Sequence, residues 1–128
     1  MLDHITFSVT DSAKARAFYD AALKPLGFRV VYEETPGQTG DAHVMGYGDE
    51  RKAFFWIVGG DGLKGRFHVA FTAKDRAAVN AFYRAAITAG GKDNGSPGLR
   101  PHYHANYYGA FVLDPDGHNI EAVCHAPA

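Results

Sequence analysis

Along residues 3–9, DHITFSV, apolar and polar positions alternate: Ile5, Phe7 and Val9 share one side, His4, Thr6 and Ser8 the other. A period of two predicts a strand with one apolar face. Thr10, Asp11 and Ser12 follow as candidate helix N-caps. Over residues 13–23 the period becomes helical, with Ala15, Phe18, Ala22 and then Leu26 on one stripe, and Gly27 closes the element. Residues 28–33, 43–47 and 53–58 predict three more strands. A loop with Pro and Gly fills 34–41, and GDERK turns between the last two strands. The first half is therefore β-α-β-β-β.

The second half restates it. Phe67, Val69 and Phe71 alternate with His68, Ala70 and Thr72; Asp75 is the cap candidate; Val79, Phe82, Ala86 and Ile87 form a helical stripe that stops at Gly90-Gly91. AFYDAAL at 17–23 returns as AFYRAAI at 81–87, and the same offset of 64 pairs His4 with His68 and Gly27 with Gly91. A register held across strand, helix and turn marks two copies of one supersecondary unit. Phe18-Tyr19 and Phe82-Tyr83 within it are core packing rather than cofactor contacts. The next strand is weak, expected only over 91–94, before a loop DNGSPGLRPHYHAN. Residues 108–113 and 119–125 are the last strands, joined by DPDG, a strong turn signal. One domain, 1–128, is expected, with modules at about 1–60 and 65–126. The GGDGLKG stretch at 59–65 is their linker; it lacks the spacing and strand–turn–helix context of a phosphate loop.

Composition narrows the partners. A net charge of −1 on 128 residues gives no basic surface for nucleic acid or anionic membrane. No apolar run approaches the roughly 20 residues of a membrane span, and MLDHITFSV begins as a strand rather than a signal peptide. A single cysteine, Cys124, cannot pair within the chain, and a cytoplasmic protein is expected. Cys124 shares the helix-facing side of its strand with Ile120 and Ala122, opposite Glu121, so it is expected as a small buried hydrophobe.

Tandem βαβββ units with Asp3-His4, Phe18-Tyr19, His68 and Asp114-Pro115-Asp116-Gly117 leading to Glu121 resemble the vicinal oxygen chelate superfamily. That group includes glyoxalase I, extradiol dioxygenases, fosfomycin resistance thiol transferases and bleomycin-binding proteins. The resemblance spans essentially the whole chain. It implies an α+β fold in which the two modules form an open, curved β-sheet barrel with helices on the outer face. It also implies that His4, His68 and Glu121 converge on a divalent metal ion (Fe, Mn, Ni, Co or Zn), a two-imidazole, one-carboxylate set with open positions for a chelating substrate. Either histidine alone is more often a hydrogen-bonded structural residue than a ligand; the repeat and the resemblance favour the trio. Glyoxalase I is similar but carries a further carboxylate on the last strand of the first unit. Counting back 64 from Glu121 gives Ile57, within AFFWIV, and Trp56 fills the slot if the hairpins differ by one residue. Indole N–H only donates, so true glyoxalase I activity is not expected.

RPHYHANYYG, residues 100–109, crowds an arginine, two histidines and three tyrosines into ten positions. It is either a lid over the cavity or a surface loop whose aromatics pack on the sheet or a partner subunit. As a lid, Arg100 would bind an anionic group, with His102, His104 and Tyr103 as candidates for catalysis. Thr6, Trp56, Tyr107 and Tyr108 are the expected substrate-cavity residues. Two functions follow: a metal-dependent enzyme on a small substrate chelated through vicinal oxygens (lyase, isomerase, dioxygenase or thiol transferase), or a metal-free small-molecule binding protein. Open sheet edges and the aromatic loop call for cover, so a homodimer is expected. The site then lies within one chain or is shared between two.

Overall fold

A computed structural model describes residues 2–37 and 42–128. The elements run β1 (Ile5–Val9), α1 (Ser12–Leu23), a 3-10 turn (Lys24–Leu26), β2 (Arg29–Glu34), β3 (Val44–Gly48), β4 (Ala53–Gly59), β5 (His68–Thr72), α2 (Arg76–Thr88), β6 (Lys92–Leu99), β7 (Tyr108–Leu113) and β8 (Asn119–Cys124). The strands form two four-stranded sheets of identical topology, β1-β4-β3-β2 and β5-β8-β7-β6. In each, the first strand pairs parallel to the last and the others are antiparallel. The two predicted modules are present, open rather than closed into a full barrel. Part of the loop expected at 34–41 lies outside the described residues.

Local chemistry explains the elements. Of the three cap candidates at α1, Asp11 accepts from Lys14 N at 3.0 Å, and Asp75 caps α2 through Ala78 N at 2.8 Å. α2 ends in a Schellman motif: Gly91 N–H reaches Ala86 O, Gly90 N–H reaches Ile87 O, and Gly90 sits at φ +102°, where a side chain is strained. The strand expected over 91–94 extends instead from Lys92 to Leu99. Gly95, Pro97 and Gly98 hide it in the sequence. β6 is an edge strand, where a missing Pro N–H breaks no ladder, and its register shifts around Gly95 absorb the irregularity.

The core lies between sheets and helices. Phe7, Phe18, Tyr19, Leu23, Phe55 and Ile57 are buried from the first module, and Phe71, Val79, Phe82, Val112 and Ile120 from the second. Cys124 is buried among them. Aromatic contacts cross the module boundary, with Phe7 and Phe67 centroids 4.6 Å apart and Phe55 and Phe71 5.0 Å apart. The DPDG turn then clasps the halves together. Tyr19 donates to Asp114 Oδ2 at 2.6 Å, and Thr10 donates to Asp116 through both backbone N (2.9 Å) and Oγ1 (2.6 Å). Asp114 Oδ1 meanwhile accepts from Asp116 N and His118 N, which shapes the turn itself. A second polar tie fixes α1 to its sheet: His43 bridges Ser12 (3.0 Å) and Glu33 (2.7 Å), and Arg16 also pairs with Glu33.

Candidate metal and substrate site

The parallel pairing of β5 with β8 sets Ala70 opposite Glu121, two residues from His68. His68 Nε2 then reaches Glu121 Oε1 at 2.9 Å. The Glu121 side chain is only 1% exposed, while His68 is 51% exposed, so the buried carboxylate opens outward through the imidazole. Tyr107 donates its hydroxyl to the other oxygen, Oε2. Burial, then the bond to Glu121, pushes the Tyr107 phenol above its ordinary value, so it stays protonated and donates at neutral pH. Gly109 makes the arrangement fit: a Cβ there would lie 3.2 Å from Tyr107 Cε1 and 3.3 Å from Glu121 Oε2.

His4 occupies the corresponding place at the start of β1, in the other module. Its Nδ1 lies 2.7 Å from Asp3 Oδ1, and Lys52 Nζ lies 2.5 Å from the same oxygen. Lys52 and then His4 hold the Asp3 carboxyl below the usual carboxylate range. An ionised carboxylate only accepts, so Nδ1 is the donating nitrogen of His4 and Nε2 is the one left to face a ligand. The structure thus brings His68 and Glu121 together and turns His4 to Asp3. Among the described residues, no three His, Cys, Asp or Glu side chains form a metal-holding group. The donor chemistry still fits a divalent ion: Glu121 is fixed at both oxygens, and His4 keeps a free nitrogen.

The register settles the question of the first module's slot. Thr6 pairs with Trp56 in β1–β4 as Ala70 pairs with Glu121 in β5–β8. Trp56 therefore stands where Glu121 stands, the hairpins differing by one residue. A depression of about 470 Å³ beside it is lined by Asp3, His4, Thr6, Lys52, Ala53 and Trp56. A neighbouring cleft of about 210 Å³ runs between the modules, from His4 and Phe54 to Val69 and Ala70. A further cavity of about 580 Å³ lies on the helix side against Lys14, Lys92 and the DPDG turn, and is lined by none of His4, His68 or Glu121.

The loop after β6 sits beside Glu121. His102 and Tyr103 rings are 4.3 Å apart, Tyr103 and Tyr107 5.1 Å, Tyr107 and His125 5.2 Å, and His104 and His125 5.4 Å. Arg100 is engaged by the adjoining strands, donating to Gly98 O and Ser96 O on β6 with its guanidinium over Phe111 on β7. Tyr108, expected in the cavity, faces the helix layer instead. It pairs with Cys124 across β7–β8, donates to Asn80 on α2, and lies under Arg76. Sequence reasoning missed His125, although it shares the face of Glu121 four positions on. It gave no role to Lys52, whose only signal would have been the hairpin register.

Paired sheets of this topology, with an imidazole–carboxylate pair in one module and a lone imidazole in the other, define a duplicated two-module scaffold. The chain belongs to the Glyoxalase/Bleomycin resistance protein/Dioxygenase superfamily, whose family profile matches residues 1–122. Its fold is similar to that of a glyoxalase/bleomycin resistance protein from Albidiferax ferrireducens (25% identity, TM-score 0.73, covering 99% of each chain). It is also similar to the fosfomycin resistance protein FosX from Mesorhizobium loti (22% identity, TM-score 0.70, 96% of this chain and 90% of that one). Glyoxalase I from Zea mays matches at 21% identity and TM-score 0.70, over 96% of this chain but only 45% of the maize protein. No curated protein matches. No helix among the described residues is long and apolar enough to cross a membrane.

Proposed function

We propose that this protein is a divalent-metal-dependent enzyme acting on a small substrate held through two neighbouring oxygens. Its site would be shared in a homodimer, with His68 and Glu121 from one copy and His4 from another. The observation that carries this reading is the division of donors: a fixed His68–Glu121 pair in one module, and in the other a histidine whose Nδ1 is occupied and whose Nε2 is free. A bound ion would polarise the chelated oxygens and stabilise the anion formed from them. Tyr107 would hold Glu121 in place, and the loop bearing His102, Tyr103 and His104 would shield the site from water. Trp56 in the carboxylate slot argues against glyoxalase I chemistry, so metal-loaded protein should form little or no lactoylglutathione.

The test is metal analysis of protein purified without an affinity metal, before and after supplementation. About one ion per chain is expected, sharply weakened in Glu121→Gln. Unchanged stoichiometry and affinity in that variant remove Glu121 from the site. Mixing His4→Ala chains with Glu121→Ala chains should restore one complete site per heterodimer; no recovery places the site within a chain. A metal-free binding protein is the second reading, favoured by the aromatic surfaces of Trp56, Tyr103 and Tyr107. Protein that takes up no ion under either condition supports it.

A further inference from the structure

The repeat makes the two halves of the site comparable position by position. One row across the first sheet reads Thr6, Trp56, Gly46, Tyr32 on β1, β4, β3 and β2; the equivalent row of the second reads Ala70, Glu121, Phe111, Gly95. The second row offers a ligand. The first offers an indole, and the residue beside it explains how that indole lies. A Cβ built on Gly46 would fall 2.8 Å from Trp56 Cζ3 and 2.9 Å from Cη2. The six-membered ring therefore lies across β3, in space that any side chain at 46 would fill. Gly46 is buried beneath it. Tyr32, the next residue in the row, flanks the indole at 5.4 Å between centroids, tilted by 55°. Hollows border it on both sides, about 470 Å³ towards His4 and Thr6 and about 410 Å³ towards Tyr32 and Arg51.

We propose that Trp56 is a stacking platform that receives a planar aromatic ring of the substrate, making the substrates aromatic rather than aliphatic compounds with two neighbouring oxygens. The proposal rests on the metal-dependent reading only for what holds those oxygens. The ring subsite is built by Trp56, Gly46 and Tyr32 alone. An aromatic ring laid against an indole gains an offset or edge-to-face contact beyond its area burial, about two- to tenfold in affinity. An aliphatic chain lacks that gain.

Mandelate and lactate isolate the effect, because they share one hydroxyl and one carboxylate and differ only in phenyl against methyl. Trp56 is the sole tryptophan of the chain, so its emission reports on this subsite without labelling. Full-length zinc-loaded protein and protein treated with chelator are each titrated with both acids, following emission and heat. Mandelate should bind about tenfold or more tighter than lactate and quench Trp56 saturably. Trp56→Leu should lower the ratio by about two- to tenfold, the stacking share, and Trp56→Phe should retain most of it. Gly46→Ala, which displaces the indole, should shift wild-type emission and reduce the ratio. A wild-type ratio near one, a preference unchanged in Trp56→Leu, or no binding of mandelate in either form overturns the platform. If both acids bind equally and only with zinc, the platform falls and the metal reading stands. If mandelate is preferred with or without zinc at the same affinity, the platform stands and the metal reading falls.

Discussion

Replacing Tyr107 by Phe removes one oxygen and little else. In the native protein that hydroxyl donates to Glu121 Oε2, while His68 faces Oε1. Glu121 is buried, so water does not freely replace the lost donor. A hydrogen bond to a charged group contributes about 1.5–3 kcal/mol. With an unfolding entropy of about 2.1 cal/mol/K per residue, a chain of this length loses about 6 to 11 °C of Tm for that change. Thermal melting of the metal-free variant, followed by circular dichroism, reads this directly. Freed from Tyr107, the carboxylate can also rotate away from His68, and loss of such an outer partner weakens metal binding by about 10- to 100-fold. Competition with a chromogenic chelator measures that second quantity. A Tm within about 2 °C of wild type would refute the bond's energetic role. A lower Tm with metal affinity unchanged would confine Tyr107 to packing and refute its part in the site.

Tyr19→Phe breaks the clasp at Asp114, a buried bond between modules, and should lower Tm by a similar 6 to 11 °C; an unchanged Tm would show that the aromatic contacts alone hold the halves. Burial, then Asp114, holds the Tyr19 phenol well above its ordinary value; burial, then Asp20, raises Tyr47. Unfolding releases these protons once the pH passes the free tyrosine value of about 10, so the unfolded state then binds fewer. Stability should therefore be insensitive to these groups below about pH 10 and fall above it, less steeply in Tyr19→Phe; denaturant titrations at pH 8 to 11 check this. Gly109→Ala crowds Tyr107 and Glu121 and should cost about 1–3 kcal/mol, with weaker metal uptake; wild-type behaviour in both would mean the neighbours yield freely.

The repeat made most of the fold legible. Alternation on β1 and β5 and the helical stripes around Phe18 and Phe82 survive in a single sequence because burial is one-sided. β6 was legible only at its start, over 91–94, since Gly95, Pro97 and Gly98 lack strand propensity and only an edge position excuses them. That His68 and Glu121 lie off the helix-facing side followed from strand parity, and their meeting was implied by the resemblance; the parallel pairing of β5 with β8 brings them together. Tyr108 was misplaced although Cys124, its partner across β7–β8, had been assigned to the helix side. Arg100 looked available because sequence cannot show that its donors are taken by Gly98 and Ser96 carbonyls. The role of Asp3 depends on Lys52 arriving from another strand, a meeting that no local pattern encodes.

The clasp between modules has a direction. Tyr19 of the first module meets Asp114 of the second, but its counterpart Tyr83 donates to Asp93 within its own module. Counting back 65 from Asp114, the offset relating Glu121 to Trp56, leads to Asp49, which is engaged by Arg51. Duplication thus produced a head and a tail that no longer exchange roles. A gene encoding the first module twice would bring a tyrosine to the seam with its acid already bound to an arginine, whatever the likeness of the two helices. The ancestral symmetry persists in the strand order and has been lost at the joint, so each half can now diverge only against the particular partner it has.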